Sequence, residues 1–396
     1  MPVEFILFAL TLLGVALWHR HALAVALAGL LAISLYKILL AGFKTGPGLA
    51  GWLGHLGHEW VALANLFGLL TGFALLARHF EHSRAPQALP RWLPAGWKGG
   101  FALLVLVFAL SAFLDNIAAA LIGGAMARPL FRGKVHVGFL AAIVAAANAG
   151  GAGSVIGDTT TTMMWIAGIA PGAVASAYVA AGAALLIVAY FGARQQQACS
   201  PIVKTTGDPV RVDGGHIVVI VILLVCAVVT NVVVSLYFPQ WSGRFPFIGA
   251  AVWVAIVLTL PVRRHDWAVL PATVKGALFL LGLVLCASMM PVEQLPPASW
   301  VTALTLGFVS AVFDNIPLTA LALRQGGYDW GVLAYAVGFG GSLLWFGSSA
   351  GVALASVFPE ARSAARWLRH GWHVALAYVA GFALMVTLLG WHPASG

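Results

Sequence analysis

Long apolar runs recur along the chain from Val3 to Trp391, and only short polar segments separate them. A helix that crosses the hydrocarbon core of a bilayer needs roughly 20 mostly apolar residues. Of the 396 residues, 61% are hydrophobic and 8% are charged, a balance that the water-facing surface of a soluble domain does not tolerate. The sequence therefore predicts an all-α polytopic membrane protein that lies in a lipid bilayer.

The formal charge of +9 does not indicate a nucleic-acid partner, because the basic residues stand in short segments between apolar runs. Such residues set membrane orientation, since cytoplasmic loops are enriched in Lys and Arg. The orientation is consistent if Arg20 is cytoplasmic. No basic segment precedes Glu4, so the first apolar run is expected to be a retained helix. The predicted location is a bacterial inner (plasma) membrane.

Four polar or glycine-rich breaks interrupt apolar runs that are too long for one helix. The first and third contain the same motif, Ser-Ala-x-x-Asp-Asn-Ile, at 111–117 and 310–316. The second and fourth, at 148–160 and 338–349, share a Gly-Gly pair that is followed six residues later by another glycine. Non-helical backbone at membrane depth persists only where it is buried in protein or lines a cavity. The breaks therefore predict a cavity inside the membrane domain.

The runs around the first and third breaks are expected to turn back as re-entrant hairpins. Basic residues flank the first of these runs on both sides, at 78–98 and 128–134, so both of its ends are expected in the cytoplasm. The segments 291–297 and 325–329, which flank the other run, contain no basic residue and are expected outside. The motifs occur in the same order in both halves of the chain, but the two hairpins enter the membrane from opposite sides. This pattern predicts two inverted repeats with broken helices, the architecture of secondary transporters.

This architecture predicts a division of the chain into scaffold and transport parts. The predicted domains are N-terminal scaffold helices at 1–98, the first transport unit at 99–192, a cytoplasmic loop at 193–214, scaffold helices of the second repeat at 215–297, and the second transport unit at 298–396.

Three of the acidic residues, Asp115, Asp158 and Asp314, stand inside the breaks. A carboxylate at bilayer depth costs at least ~2.5–3.5 kcal/mol on insertion scales, so each needs a function or a partner. Helix capping is one such function, because Asp accepts hydrogen bonds from the free N–H groups at a helix start. Ion binding is compatible with capping, since a dehydrated carboxylate is neutralised by either a proton or a cation. Competition between these two ions is the simplest form of antiport.

Hard oxygen donors accompany flexible glycine backbone in the second break, which suits a small alkali cation. The donors are Asn148, Ser154, Asp158, Thr159, Thr160, Thr161 and Thr162. In the fourth break, Ser348 and Ser349 stand where Asp158 and Thr159 stand in the second, so the site is expected to be asymmetric. Close helix packing is an alternative interpretation of the glycines. We expect no cofactor and no enzymatic activity, with Na⁺ or Li⁺ and H⁺ as the transported ions.

In these motifs the chain resembles NhaD-type sodium/proton antiporters of the ion transporter superfamily, which is related to citrate and arsenite permeases. The resemblance is strong over 101–165 and moderate over 302–349. The chain differs at Val155, where the family usually has proline, and at Ala118 and Ala119, where a threonine is common. The resemblance implies a homodimer in which a scaffold holds a mobile transport domain that moves as an elevator.

The resemblance also implies which polar residues bind the transported ions. They are Asp115, Asn116, Asn148, Asp158, Thr160 and Thr161 in the first repeat and Ser310, Asp314, Asn315, Ser348 and Ser349 in the second. Together with Ser154 and Thr159, these residues are the predicted ion- and proton-binding set. Sodium itself is predicted at Asp115, Asn116, Asn148, Asp158 and Thr160.

Two other functions are compatible with carboxylates in a membrane. An anion carrier of the same superfamily, for citrate, dicarboxylates or arsenite, needs positive potential at its site, but the breaks contain no Lys or Arg. An intramembrane aspartyl protease uses a Gly-x-Gly-Asp motif, which Val155 and Ile156 before Gly157-Asp158 do not provide. The sodium/proton antiporter is the favoured prediction.

Histidines near the ends of apolar runs are the remaining polar residues to which the sequence assigns a role. His79 and His265 are expected to be interfacial anchors, whereas His136 is a candidate for a proton path or a pH sensor.

Overall fold

The computed structural model describes residues 2–18, 21–88, 93–202, 211–241 and 243–393, and within these ranges all regular secondary structure is helical. Arg20 and the middle of the predicted loop at 193–214 lie outside the described residues. Six of the helical segments are long and apolar enough to cross a membrane: Ala22–Ala41, Gly48–His82, Pro171–Cys199, Gly214–Val234, Trp267–Ser288 and Trp372–Leu389. The prediction of an all-helical polytopic membrane protein is confirmed.

The helices of the first half begin and end as follows. They are α1 (Val3–Leu17), α2 (Ala22–Tyr36), α3 (Gly48–His82), α4 (Ala85–Ala88), α5 (Trp97–Ser111), α6 (Asn116–Leu130), α7 (Val137–Ala152), α8 (Thr159–Ile166), α9 (Pro171–Ala175) and α10 (Tyr178–Cys199). A π-helical turn, Lys37–Ala41, extends α2.

The second half has a similar order of long and short helices. They are α11 (Gly214–Tyr237), α12 (Phe247–Thr259), α13 (Leu270–Ser288), α14 (Trp300–Ser310), α15 (Asn315–Gln325), α16 (Trp330–Gly340), α17 (Ser349–Val357), α18 (Ala364–His370) and α19 (Trp372–Leu389).

The helices pack in two groups, and each group contains matching pairs from the two halves of the chain. In the first group, α1 packs on α2 and α2 on α13, while α11 packs on α12 and α12 on α3. In the second group, α5 packs on α7 as α14 packs on α16, and α6 packs on α17 as α15 packs on α8. The two groups meet where α13 contacts α15 and where α3 contacts α8.

The centre of the second group is the pair α7 and α16, which contact each other. All residues of α7 are buried, and so are those of α16 from Gly331 to Gly340. A helix that is apolar on all sides is stable only when protein or lipid surrounds it. These two helices therefore carry the second and fourth breaks to the interior of the protein.

The four breaks are present as non-helical segments at 112–115, 153–158, 311–314 and 341–348. Glycines let the hairpins and the broken helices approach each other closely. A Cβ atom on Gly150 would lie 2.1 Å from the carbonyl oxygen of Phe108, and one on Gly340 would lie 2.2 Å from that of Gly307. Both distances are far below van der Waals contact, so close packing does explain these glycines, in equivalent positions of the two halves.

Candidate ion-binding site

The starts of four short helices, α6, α8, α15 and α17, converge at the breaks. Each is capped by a side chain from the break that precedes it, which satisfies an N–H group that has no partner within the helix. The capping hydrogen bonds run from Ile117 N to Asp115 Oδ1 (2.6 Å), Thr160 N to Asp158 Oδ1 (3.2 Å), Ile316 N to Asp314 Oδ1 (3.0 Å) and Gly351 N to Ser348 Oγ (3.3 Å). The capping function of all three aspartates is therefore confirmed.

Asn148 connects the two halves at the centre of this region. Its side chain is fully buried, and its Oδ1 accepts a hydrogen bond from Asn116 Nδ2 at 3.1 Å. Its Nδ2 donates to Ser342 Oγ at 2.9 Å and to Ser348 Oγ at 3.1 Å, both in the fourth break. One amide therefore links α6, α7 and the segment between α16 and α17.

The carboxylates of Asp158 and Asp314 each hold a second polar contact besides the cap. Asn315 Nδ2, at the start of α15, donates to Asp158 Oδ2 at 3.3 Å, and this bond crosses between the halves. Ser349 Oγ donates to Asp314 Oδ2 at 3.1 Å within the second half. Asp158 is 3% exposed, so its carboxylate is almost completely removed from solvent.

The positions around Asp158 and Ser348 differ in side-chain volume. When the Gly-Gly pairs of the two halves are matched, Asn148 corresponds to Gly338. A Cβ atom on Gly338 would lie 3.5 Å from Asp158 Oδ2, whereas Asn148 places a whole amide beside Ser348. The asymmetry that the sequence predicted at Ser348 thus extends to a second pair of positions. Asp158 has the smaller neighbour, Gly338, and Ser348 has the larger one, Asn148.

Some hydroxyl groups of the predicted set bind backbone carbonyls and stabilise the breaks. Ser154 Oγ donates to Ala112 O at 2.6 Å, which ties the second break to the first. Thr161 Oγ1 contacts the carbonyl oxygens of Ser154 at 2.6 Å and Asp158 at 2.9 Å. Ser310 Oγ donates to Val337 O at 2.8 Å and joins α14 to α16.

Two other buried hydroxyl groups form no well-aligned hydrogen bond among the described residues, although that of Thr160 also interacts with the side chain of Asp158. They are Ser111 Oγ and Thr160 Oγ1, and both side chains are fully buried. Buried polar atoms are paired in the great majority of cases, so an unpaired one needs a reason. An oxygen that directs its lone pairs at a cation needs no hydrogen-bond donor. Thr160 belongs to the set predicted from the sequence, whereas Ser111 was not included.

A cavity of about 380 Å³ opens beside these groups, between the two groups of helices. Its polar lining includes Asp115, Asn116, Asp158, Thr159, Asn315 and Ser349, and Phe73 and Thr273 line it from α3 and α13. Six of the residues predicted from the two hairpins and broken helices thus line one space. Ser154, Thr161 and Ser310 lie behind it and support the backbone.

Arg78 and Glu81 also line this cavity, although sequence reasoning had treated Arg78 as a flanking basic residue. Arg78 Nη1 lies 2.6 Å from Glu81 Oε2, and Arg78 Nε lies 3.5 Å from Asp266 Oδ2. Two carboxylates therefore neutralise Arg78 at the cavity. The i, i+3 spacing of Arg78 and Glu81 on one helix is the sequence feature from which their pairing could have been predicted.

The comparisons with known proteins are consistent with a transport site. No protein-family model matches the chain. The chain is 28% identical over 316 residues to a protein named sodium/proton antiporter 1 from Arabidopsis thaliana, covering 71% of this chain and 52% of that protein. It is 27% identical over 305 residues to sodium/proton antiporter 2 of the same plant, covering 66% of this chain and 69% of that protein.

These similarities support a cation/proton antiporter family. Together with the six apolar helices, they indicate a multi-pass membrane protein. The matched region spans about half the length of sodium/proton antiporter 1, 52%.

Proposed function

We propose that the protein is a secondary active transporter that exchanges Na⁺ or Li⁺ for H⁺. The observation that carries this proposal is the buried carboxylate of Asp158, which lies at the junction of the two halves beside a cavity with further carboxylate, amide and hydroxyl oxygens. The names of the two relatives support the same cargo.

The chemistry of the site favours exchange over one-way binding. A buried carboxylate without a counter-ion is costly, so Asp158 is stable with either a proton or a cation bound. The oxygen donors around it suit an alkali cation, because such an ion accepts many oxygen ligands of mixed type. Binding of one ion then requires release of the other, which couples the two gradients. The proposed sodium ligands are Asp115, Asn116, Asn148, Asp158 and Thr160.

We further propose that the two halves are inverted repeats and that the second group of helices is the mobile transport domain. The matched helix pairs and the matched glycine contacts support the repeats. The cavity supports a boundary between scaffold and transport parts, because α3 and α13 line one side and the breaks line the other. An NhaD-type homodimer in a bacterial inner membrane is the corresponding detailed proposal.

The cavity and one ion pair suggest which side of the protein is open. Arg78 and Glu81 lie at the end of α3 that the distribution of basic residues places in the cytoplasm. Towards the other end of α3, Glu59 forms an ion pair with Arg324 of α15, which joins the two groups of helices. We therefore assign this conformation to the inward-facing state, closed on the outer side by that pair.

The decisive experiment measures cation-induced proton movement in proteoliposomes that contain a pH-sensitive dye. Addition of Na⁺ or Li⁺ is expected to change the internal pH, and Asp158→Asn is expected to abolish the response. Asp329→Asn is the matched control, because Asp329 caps α16 in the same way but lies outside the cavity. Asn is also a good N-cap residue, so both variants are expected to fold.

Either result is informative. A cation response that Asp158→Asn removes and Asp329→Asn preserves supports the antiporter. A wild-type rate in Asp158→Asn would contradict the assignment of this residue. Uptake of labelled citrate without a cation response would instead identify an anion carrier.

A further inference from the structure

Three histidines from distant parts of the sequence form a continuous hydrogen-bonded chain, which we call the histidine chain. His79 Nδ1 lies 2.7 Å from Nδ1 of His216, and His79 Nε2 lies 2.6 Å from Nδ1 of His265. His265 Nε2 lies 2.6 Å from the carbonyl oxygen of Ile256. His79 and His265 are buried, whereas His216 is partly exposed. The interpretation of His79 and His265 as interfacial anchors is therefore wrong.

The contacts fix the positions of the protons when all three rings are neutral. A carbonyl oxygen only accepts, so His265 Nε2 carries a hydrogen and donates to Ile256 O. The Nδ1 atom of neutral His265 is then an acceptor, which requires a hydrogen on His79 Nε2. The Nδ1 atom of His79 is in turn an acceptor, so His216 donates from Nδ1. Only one tautomer of each ring satisfies all three contacts.

The same reasoning sets the number of protons that the histidine chain can hold. Each of its two N···N contacts needs one nitrogen without a hydrogen, so two of the six ring nitrogens must stay bare. The neutral rings leave three bare nitrogens, and the third is Nε2 of His216, the partly exposed end. One added proton therefore leaves every contact intact. A second added proton places two N–H groups opposite each other and breaks one contact.

The histidine chain ends within the protein. Beyond His265 it meets the Ile256 carbonyl, and Thr259 Oγ1 lies 3.5 Å from the same nitrogen. An amide carbonyl does not pass a proton onward, so the chain is not a path to the cavity. The histidine chain instead joins the end of α3 to the start of α11 and to the segment that precedes α13.

The position of this junction relates it to the cavity. Arg78 and Glu81, the neighbours of His79 on α3, line the cavity, and Arg78 contacts Asp266, which follows His265. The other charged or titratable groups around the rings are His82 on α3, Asp213 before α11, and Arg263. Among the helices that pack on α3, the helices α4, α8 and α12 contain no titratable side chain, whereas α11 also contains Cys226 and α13 contains Lys275 and Cys286.

Asp213 stays ionised beside the exposed end of the histidine chain. Arg263 Nη2 and Nε lie 2.9 and 3.1 Å from its two carboxylate oxygens. This pairing holds the pKa of Asp213 below its usual range. Asp213 therefore keeps its charge between neutral and mildly acidic pH, so it takes up no proton at this junction in that range.

We infer that the histidine chain is a proton-operated latch: it is closed at neutral and alkaline pH, opens when a second proton is added, and thereby sets the position of Arg78 and Glu81 at the cavity. The effect on transport rests on the proposed function, whereas the latch itself does not. Acidification from about pH 8 to about pH 4 covers the ordinary titration range of histidine and extends below it.

The test compares thermal unfolding in detergent and, separately, exchange at saturating Na⁺ in three variants. His79→Leu removes the central ring, so the latch is open at every pH. His216→Gln keeps a donor for His79 but removes the exposed nitrogen that accepts the first proton. His82→Gln is the matched control, because His82 is exposed and contacts His216 only through its ring, at 5.8 Å between centroids.

We expect wild type to unfold several degrees above His79→Leu at about pH 8, and this difference to vanish as the pH falls to about 4.5 or below. His216→Gln is expected to shift the loss to higher pH, because without the exposed nitrogen the first added proton already enters one of the two contacts. His82→Gln is expected to follow wild type. The maximal exchange rate should fall with acidification in wild type and stay low in His79→Leu.

A difference between wild type and His79→Leu that is constant across this pH range would overturn the latch, because lost packing acts equally at every pH. Wild-type behaviour of His216→Gln together with an altered profile of His82→Gln would also overturn it. If wild type shows no exchange at all, the proposed function fails, while the unfolding series still decides about the latch.

Discussion

Asn315 of the second half donates a hydrogen bond to Asp158 of the first half, at 3.3 Å between Nδ2 and Oδ2. This bond crosses the centre of the protein, and it reaches the carboxylate to which we assign the exchange. Its geometry also requires that α8 and α15 stay in register with each other. The consequences are measurable in the wild-type and variant proteins.

Replacement of Asn315 by Ala is expected to weaken sodium binding without removing exchange. The change deletes a donor to an ionisable group, and such hydrogen bonds contribute about 1.5–3 kcal/mol. The concentration of Na⁺ that gives half-maximal exchange should therefore rise by roughly tenfold or more. Thr305→Ala, on the exposed face of α14, is the control and should leave that concentration unchanged.

The neighbouring threonines Thr160 and Thr161 should respond in opposite ways to replacement by Val. Thr160 Oγ1 forms no well-aligned hydrogen bond among the described residues and interacts only with the side chain of Asp158, so Thr160→Val should nearly keep the unfolding temperature measured without sodium. The same variant should lose the upward shift that sodium causes in wild type, because a ligand that binds only the folded state stabilises it.

Thr161→Val is the matched comparison for that prediction. Its hydroxyl contacts the carbonyl oxygens of Ser154 and Asp158, so its loss should lower the unfolding temperature with or without sodium. If Thr160→Val destabilised the protein as much as Thr161→Val does, the hydroxyl of Thr160 would have a structural role and the ligand assignment would be wrong.

Substitution of Gly150 by Ala is expected to destabilise the protein strongly. The added Cβ would lie 2.1 Å from the carbonyl oxygen of Phe108, so the hairpin and α7 would have to separate. Gly182→Ala in α10 is the control, because no atom lies within 4 Å of its Cβ position. That change should be neutral or stabilising by up to about 1 kcal/mol. Thermal unfolding in detergent measures both effects.

The pair formed by Asp213 and Arg263 gives a pH dependence that differs from that of the histidine chain. Arg263 lowers the pKa of Asp213, so the stabilisation is present above the unfolded-state pKa of about 3.9 and disappears as the pH falls through the lower folded-state value. The difference in unfolding temperature between wild type and Asp213→Asn should therefore be constant from about pH 8 to about pH 5.5. A difference that changes within this range would show that Asp213 acts through the neighbouring His216.

The sequence was sufficient to predict the breaks and their aspartates because both signals are local. Asp115 and Asp314 stand within a repeated motif, and a charge inside an apolar run is conspicuous without any knowledge of the fold. The capping bonds then follow from chemistry within two residues, as in the contact between Asp158 and the amide of Thr160. Local rules of this kind transfer directly from sequence to structure.

Contacts between distant segments could not be predicted in the same way. His79 is separated by 137 residues from His216 and by 186 residues from His265, and nothing in the spacing indicates that the three rings meet. Ser342 was overlooked as a partner of Asn148 for the same reason. Arg78 was assigned to a flanking segment because its position relative to the cavity depends on how α3 packs against α8 and α13.

The unequal neighbours of Asp158 and Ser348 restrict how this protein can change through evolution. Gly338 leaves room beside the carboxylate, while Asn148 occupies the equivalent room beside the serine. A lineage that gained an acid at position 348 would have to shorten the side chain at 148, and one that lost the acid at 158 could accept a larger residue at 338. Residues 148 and 348, and likewise 158 and 338, should therefore covary among homologues.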